Sequence, residues 1–561
     1  MQTEPTLKSK VAKRLPQQVM RLKRLGSFHQ TRLSFMRVLT RRLKQEQWQF
    51  AQQEFNVDSN GVGYAVYNAI GPERTYSLVA FTHDLPDELR SDRVIAEQWD
   101  TTFSLFDGVP TSVDIKRLSD NVPLQEAGRI SGSELTLSRA NRSVRLWEHV
   151  VDALARGDQP DQSQLDSVGY LMRTTAVYGS GKFGAADRQS IAHRDECNSP
   201  FQVEMLSVYL IRTFVRDLVQ HMADARGGRN SVKLDANLAR SLGIGNSTGL
   251  GMAPFILKHP ALFNNWIIAR EEALAQVRSV ASPTDEEVAL FKDLFARASR
   301  SMLNWKTQHE LQRGKVEKLL TDIQSAQRYF NALNFHTEAV WDTVYRWSEN
   351  NLSLEGQEFI ASLLLEPYGH LIDGFAHCMG SDSPVVPSIN GAMRLAELKE
   401  LLDKQYAWTN SIDWSEKSAL ARAWYVSEEK LEPRLGERFE EPVAPYEQPL
   451  APARDAVQLH SQIETQDAQM LVADFLLQHP HHRHTVRRIQ TMRDLPYGEI
   501  QDNTIGADLL PIDMLRCKLS FFGAIHFDPR SDRWVRIRMF GNAPYPEELL
   551  SGDAEFWSYP A

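Results

Sequence analysis

The chain has 561 residues, a formal net charge of −9, 42% hydrophobic and 24% charged residues, and three cysteines. That length exceeds one ordinary domain, and the composition is globular rather than disordered. The negative balance argues against a chain that binds nucleic acid over its whole surface, and the widely spaced Cys197, Cys378 and Cys517 form neither a disulfide framework nor a cysteine-rich zinc site.

Residues 1–50 read as a basic amphipathic helical arm. Residues 1–44 carry twelve Lys or Arg and one acid, Glu4. Apolar positions recur at Val19, Leu22, Leu25, Leu33, Phe35, Met36, Val38, Leu39 and Leu43. Such a stripe either docks on an acidic face of the same protein or contacts an external partner. RNA, an acidic protein and an anionic membrane surface are the external alternatives.

Residues 51–160 read as a small α+β unit. Strands are expected at 62–70 and 75–82 around the turn Gly71-Pro72-Glu73, then at 94–96 and 101–106, followed by a helix over 142–156. Residues 161–283 form a helical core carrying Gly-rich loops. Ser199-Pro200 starts a helix that runs to Arg226-Gly227-Gly228, and a second helix spans 260–280. Residues 284–431 read as helical, opened by Asp285-Glu286-Glu287. Five prolines among acids mark 432–453 as a linker. Residues 454–561 form a C-terminal α+β unit with a helix over 455–478 and strands over 518–527 and 534–540, joined by a polar turn at 528–532. The tetrapeptide Arg-Ser-Asp-Arg occurs at 90–93 and again at 530–533, and no longer repeat is visible. The expected fold is α+β, with a predominantly α-helical centre and small antiparallel sheets contributed by the N-terminal and C-terminal regions.

The most informative segment is Leu242-Gly-Ile-Gly-Asn-Ser-Thr-Gly-Leu-Gly-Met-Ala-Pro-Phe255. Glycine permits close backbone approach, and hydroxyl and amide neighbours supply short hydrogen bonds. A loop of this kind before a helix can hold an anion on its N–H groups. Gly245, Asn246, Ser247, Thr248 and Gly249 are therefore candidate substrate-binding residues. The alternative is a tight loop that needs glycine only for clearance. The spacing GxGxxxGxG is not the dinucleotide fingerprint.

A second loop is expected at Arg173 to Arg188, with three glycines, Tyr178 and Lys182. Arg173, Lys182 and Arg188 could clamp an anion, the arginines as forks and the lysine as a point charge. A P-loop is rejected, because Ala176 and Phe183 stand where glycine and a hydroxyl belong. The Tyr178-x-x-x-Lys182 spacing matches the short-chain dehydrogenase pair, but Gly179 and Gly181 break the helix that pair requires. The two loops share a site only if the chain doubles back through 229–242.

A third constellation is Glu366, His370, Asp373 and His377, at i, i+4, i+7 and i+11. One helix face would carry all four, either as a divalent-metal or acid–base stripe or as a polar face with local ion pairs. Pro367, Gly369 and Gly374 weaken that helix. Histidines 479, 481, 482 and 484 read mainly as an exposed basic turn, and Cys197 reads as structural. No cofactor is expected apart from that divalent-metal alternative.

The leading expectation is an enzyme acting on a small anionic metabolite with a carboxylate or phosphate. Tyr178, Lys182 and His370 are its catalytic candidates. A lyase or hydrolase fits better than an oxidoreductase or kinase, because neither needs a cofactor motif. The rival is a non-catalytic binding or scaffold protein whose basic arm contacts RNA or an acidic partner. No apolar run is long enough for a membrane span, and the N-terminus lacks the apolar core of a secretory signal, so a cytoplasmic location is expected.

Overall fold

The computed structural model describes residues 11–27, 29–86, 98–122, 131–179, 182–183, 191, 193–249, 260–379, 389–415, 425–426, 433–434, 452–501, 511–531, 534–550 and 555–559. Backbone alone is described at 121, 175–179, 182–183, 247–249, 425–426, 433–434, 452, 511–512, 530–531 and 534.

A single ten-stranded mixed sheet organises the molecule. Its strands are β1 (Gln49–Val57), β2 (Gly63–Ile70), β3 (Thr75–Thr82), β4 (Thr101–Asp107), β5 (Glu134–Arg142), β6 (Tyr170–Gly179), β7 (Lys182–Phe183), β8 (Gly243–Gly249), β11 (Phe527–Ser531) and β12 (Trp534–Met539). A separate two-stranded ribbon pairs β9 (Tyr425–Val426) with β10 (Pro433–Arg434). The main sheet runs β1-β2-β3-β4-β5-β6-β8-β12-β11, with β7 folded back on β6. Small antiparallel sheets at the two ends were the expectation. The structure corrects it: N-terminal and C-terminal strands join one large sheet, because β8 pairs β6 on one side and β12 on the other. That pairing links segments some hundreds of residues apart, which local hydrophobic patterning cannot register.

The expected hairpin is present. Gly71 N–H donates to the Arg74 carbonyl at 2.8 Å, and a Cβ on Gly71 would lie 2.7 Å from the Trp48 ring, so glycine is required at this turn. The expected 142–156 helix starts later, at Trp147–Arg156, and Arg142 is the last residue of β5.

The expected 200–226 helix is observed as Gln202–Gly227 and crosses one face of the sheet. It is apolar on most of its circumference, as a helix sandwiched in a core must be. Phe214 meets Tyr67 and Phe103 of the sheet edge-on, at 6.1 and 5.7 Å between ring centres. On the other face, Ser112–Asn121 covers Val66, Val79, Phe106 and Leu137 with Ile115 and Leu118. After the long helix the chain returns through Ala236–Ser241 and enters β8 parallel to β6. Parallel strands need a crossover of a dozen or more residues, and these helices supply it. Arg212 fastens the return: its guanidinium donates to the carbonyls of Leu242, Arg240 and Ala543.

Helices Pro260–Arg278, Asp285–Leu303, Glu310–Ala332, Val340–Asn351 and Leu354–Leu364 build the helical centre. Thr284 and Glu287 form a reciprocal capping box at the predicted start of the second of these. The expected single helix over 455–478 is two, Pro452–Glu464 and Val472–Gln478. With Leu395–Gln405 and Arg483–Met492 they enclose a second core around Leu398, Leu459, Phe475 and Ile489. The expected strand over 518–527 is instead a π-helical turn, Lys518–Phe522, followed by β11. β11 also takes in most of the polar turn expected at 528–532. The copy of Arg-Ser-Asp-Arg at 90–93 and most of the 432–453 linker lie outside the described residues.

Among the described residues, no helix is long and apolar enough to cross a membrane.

Candidate functional site

The N-terminal arm is folded onto the protein itself. It contains short helices Pro16–Val19 and Leu22–Leu25 and the amphipathic helix Phe35–Gln45. Phe35, Met36, Leu39 and Leu43 bury one face of that last helix. Its arginines, and those before it, meet carboxylates from distant helices. Arg14 reaches Glu271 and Glu358 at 2.6 Å each, and Arg24 shares Glu358. Arg37 grips both oxygens of Glu366 at 2.6 Å in a fork that is wholly buried. Arg32 grips Asp373 at 2.7 and 2.8 Å and also reaches Glu555. These bidentate pairs are the strong form of charge-assisted hydrogen bond.

A cleft of about 550 Å³ opens where the arm meets residues 369–374. Arg32, Arg41, Lys44, His370, Asp373 and Glu555 are its ionisable lining residues, joined by Thr40, Gln45, Gly369 and Gly374. Thr40, Arg41, Lys44 and Gln45 come from the last turns of the Phe35–Gln45 helix. A Cβ on Gly369 would collide with Arg32 Nη2, so glycine is required for the guanidinium to lie against this backbone. His370 is exposed at the rim, its ring 6.0 Å from that of Tyr368.

The charges in the cleft are not evenly matched. Asp373 is held below the usual carboxylate range by Arg41, Arg32 and Arg37, against the opposing effect of its burial. Arg41 is the least satisfied cation. Its Nε lies 3.4 Å from Asp373 Oδ2, its Nη2 donates to the Arg32 carbonyl at 2.9 Å, and its Nη1 is buried without a hydrogen-bond partner among the described residues. Burial first, then the nearby Arg32, pushes the guanidinium down to about 9, with Asp373 opposing. An unpaired buried donor of this kind costs roughly 1–3 kcal/mol, more when it is charged. An incoming anion would relieve it.

Behind the cleft, Tyr559 donates to Glu366 Oε1 at 3.2 Å and lies 3.4 Å from His29 Nδ1. The His29 ring stacks on Tyr559 and meets Phe359 edge-on. Burial pushes His29 down to about 4, so it is neutral.

The other sequence candidates fall elsewhere. Gly245 to Gly249 lie in β8 and not in a loop: β12 pairs with all five, and β6 also pairs with Gly245 and Asn246. Alternating glycines read locally as a loop, but pairing with distant strands gives these residues ladder partners. The chain does double back as required: Arg173 pairs with Gly245 and Thr174 with Asn246 in adjacent strands. Arg173 is buried in β6 at 1% exposure. Tyr178 and Lys182 lie in β6 and β7, Ser247 and Thr248 in β8, and their side chains are outside the described residues, as is all of Arg188. Asn246 is buried, donates to the Thr174 carbonyl at 3.4 Å and accepts from Lys518 Nζ at 3.0 Å.

The expected stripe at 366–377 is not one helix. It breaks into Glu366–Tyr368, Gly369–Ile372 and Asp373–Met379, as its proline and glycines suggested. Glu366 and Asp373 are committed to arginines, and His377 is exposed. Among the described residues, no three His, Cys, Asp or Glu side chains converge on a metal position.

Sequence reasoning missed Arg32, Thr40, Arg41, Lys44, Gln45 and Glu555. A usable signal existed: Arg37, Arg41 and Lys44 are spaced one turn apart, as are Glu366, His370 and Asp373. No known protein family, curated protein or solved structure matches this chain.

Proposed function

We propose that this protein is an enzyme acting on a small anionic metabolite that binds in the cleft between the Phe35–Gln45 helix and residues 369–374. The observation that carries this reading is Arg41, a buried guanidinium lining the cleft with Nη1 unpartnered among the described residues. A carboxylate or phosphate oxygen supplies the acceptor that Arg41 lacks, and Lys44 adds a second positive charge at the same wall. His370, exposed at the rim, is the group placed to move a proton. Elimination or hydrolysis is the reaction type this pairing of anion anchor and imidazole suits. The site proposed here differs from the glycine segment singled out by sequence, of which residues 243–249 are a strand of the sheet.

The test is a thermal-shift and calorimetric series with inorganic phosphate, small mono- and dicarboxylates and phosphate monoesters. A ligand at about 100 times its Kd adds roughly 2.7 kcal/mol of stability. The expected result is a hit that Arg41→Gln weakens at least tenfold, while His370→Asn retains binding and loses turnover. If no anion in the series stabilises the wild-type chain, or if Arg41→Gln binds the hit as wild type does, the cleft is not the site.

A further inference from the structure

Lys518 is the only buried lysine among the described residues, at 6% exposure. Three other buried cations of this fold are each matched to more than one acceptor atom. Arg14 has two glutamates, Arg37 a bidentate glutamate, and Arg212 three carbonyls. Lys518 Nζ has one hydrogen bond, to the neutral Oδ1 of Asn246 at 3.0 Å, and no carboxylate partner among the described residues. The amide is itself fixed. Asn246 stands on β8 beside Thr174 of β6, and its Nδ2 donates to the Thr174 carbonyl, so its oxygen faces the amine. Lys518 also heads a π-helical turn, Lys518–Phe522, a rare backbone form that is frequent at functional sites. The half-buried ring of Phe522 lies 5.8 Å from Nζ. Structural lysines are usually solvated or paired with acids. A desolvated lysine with no counter-ion among the described residues, oriented by a single amide, has the environment of a nucleophilic amine. Burial alone pushes it down to about 7, so it offers a free lone pair near neutral pH.

We propose that Lys518 is an imine-forming lysine whose amine condenses with a small aldehyde or ketone. The Nζ lone pair attacks the carbonyl carbon, and a C–N bond forms. The carbonyl oxygen then leaves as water, taking both amine protons, and a neutral imine remains. No oxidant or reductant is consumed. Asn246 holds the amine through one N–H while the lone pair is used. This site is separate from the arginine cleft, and its chemistry does not depend on the function proposed there.

The test is reductive trapping on the full chain. Protein at pH 7 is incubated with acetaldehyde or, separately, pyruvate, then treated with borohydride, which delivers hydride to any imine and leaves a secondary amine. Peptide mass mapping locates the adduct. A lysine of ordinary pKa is about 0.03% neutral at pH 7 and Lys518 about half neutral, roughly a thousandfold advantage. The expected result is a single dominant adduct on Lys518, absent in Lys518→Arg and unchanged in Arg41→Gln. Labelling spread over surface lysines with Lys518 unmodified in the native chain overturns the proposal. So does labelling of Lys518 only after denaturation. The wild-type map decides the matter even if Lys518→Arg fails to fold. Asn246→Ala provides a second check: with the amine no longer oriented, trapping at Lys518 should slow at least fivefold, and an unchanged rate would remove the amide from the argument.

Discussion

Replacing Arg37 by methionine isolates the energetics on which the arm depends. Both side chains of the Arg37–Glu366 pair are fully buried, and the fork is made at 2.6 Å on each oxygen. Once the guanidinium is gone, Glu366 retains Tyr559 at 3.2 Å and Arg32 at 3.8 Å. A buried carboxylate that has lost its main partner neutralises by taking up a proton. At pH 7 that costs about 1.36 kcal/mol for each of the roughly 2.7 units between the ordinary glutamate pKa and the solution pH, about 3.7 kcal/mol in all. This agrees with the 3–5 kcal/mol typical of breaking one side of a buried pair. In the wild type, arginines hold Glu366 below the usual range, so its stabilisation is present above that range and is lost as pH falls through the folded value. Between pH 7 and 5 the wild type therefore keeps its gain, while the proton-uptake penalty in Arg37→Met shrinks by about 1.36 kcal/mol per unit, roughly 2.7 kcal/mol in total. The assay is urea unfolding followed by far-ultraviolet circular dichroism at both pH values, with Arg37→Met, Glu366→Leu and the double variant. The double variant should be closer to wild type than Arg37→Met is, because it removes the stranded charge. A penalty for Arg37→Met below about 1 kcal/mol at pH 7, or one that does not change with pH, would refute the reasoning.

Three further outcomes follow from the same structure. Deleting residues 1–45 should lower the melting temperature of the whole chain or prevent folding, since it takes Arg32 and Arg37 from Glu366 and Asp373 and leaves Glu271 and Glu358 with Arg270 in place of several arginines; a deletion variant that melts like wild type contradicts the internal docking of the arm. Lys518 binds its proton more weakly folded than unfolded, so stability contributed through it rises by about 1.4 kcal/mol per pH unit from about 7 to the ordinary lysine value; Lys518→Met should remove that slope from a pH series of urea midpoints, and an unaltered slope would show the amine to be solvated. Gly369→Ala places a Cβ against Arg32 Nη2 and should weaken anion binding in the cleft at least tenfold by calorimetry, with wild-type affinity counting against the proposed position of Arg32.

Local patterning was enough for the elements whose signals are local. The β2–β3 hairpin, the long Gln202–Gly227 helix, the Pro260–Arg278 helix and the helix start at Asp285-Glu286-Glu287 all follow from periodicity, turn residues and terminal charges within a few positions of each other. The amphipathic arm was legible too, including the alternative that it docks on an acidic face of the same protein. Sequence also marked His370 and Asp373, which line the cleft, and Asn246, which holds Lys518.

What the sequence could not supply was the partner of each charged or apolar stripe. Arg37 finds Glu366 across more than three hundred residues, and β8 finds β12 across nearly as many. A glycine-rich run looks like a loop until pairing with distant strands converts it to a ladder. A lysine in an apolar run looks like one position of a strand until a π-helical turn buries its amine against an amide. Secondary structure is written in short-range spacing and in the steric preferences of each residue. Which charges are neutralised, which are left wanting an acceptor, and where a cleft opens depend on the packing of distant segments, and tertiary structure alone decided those.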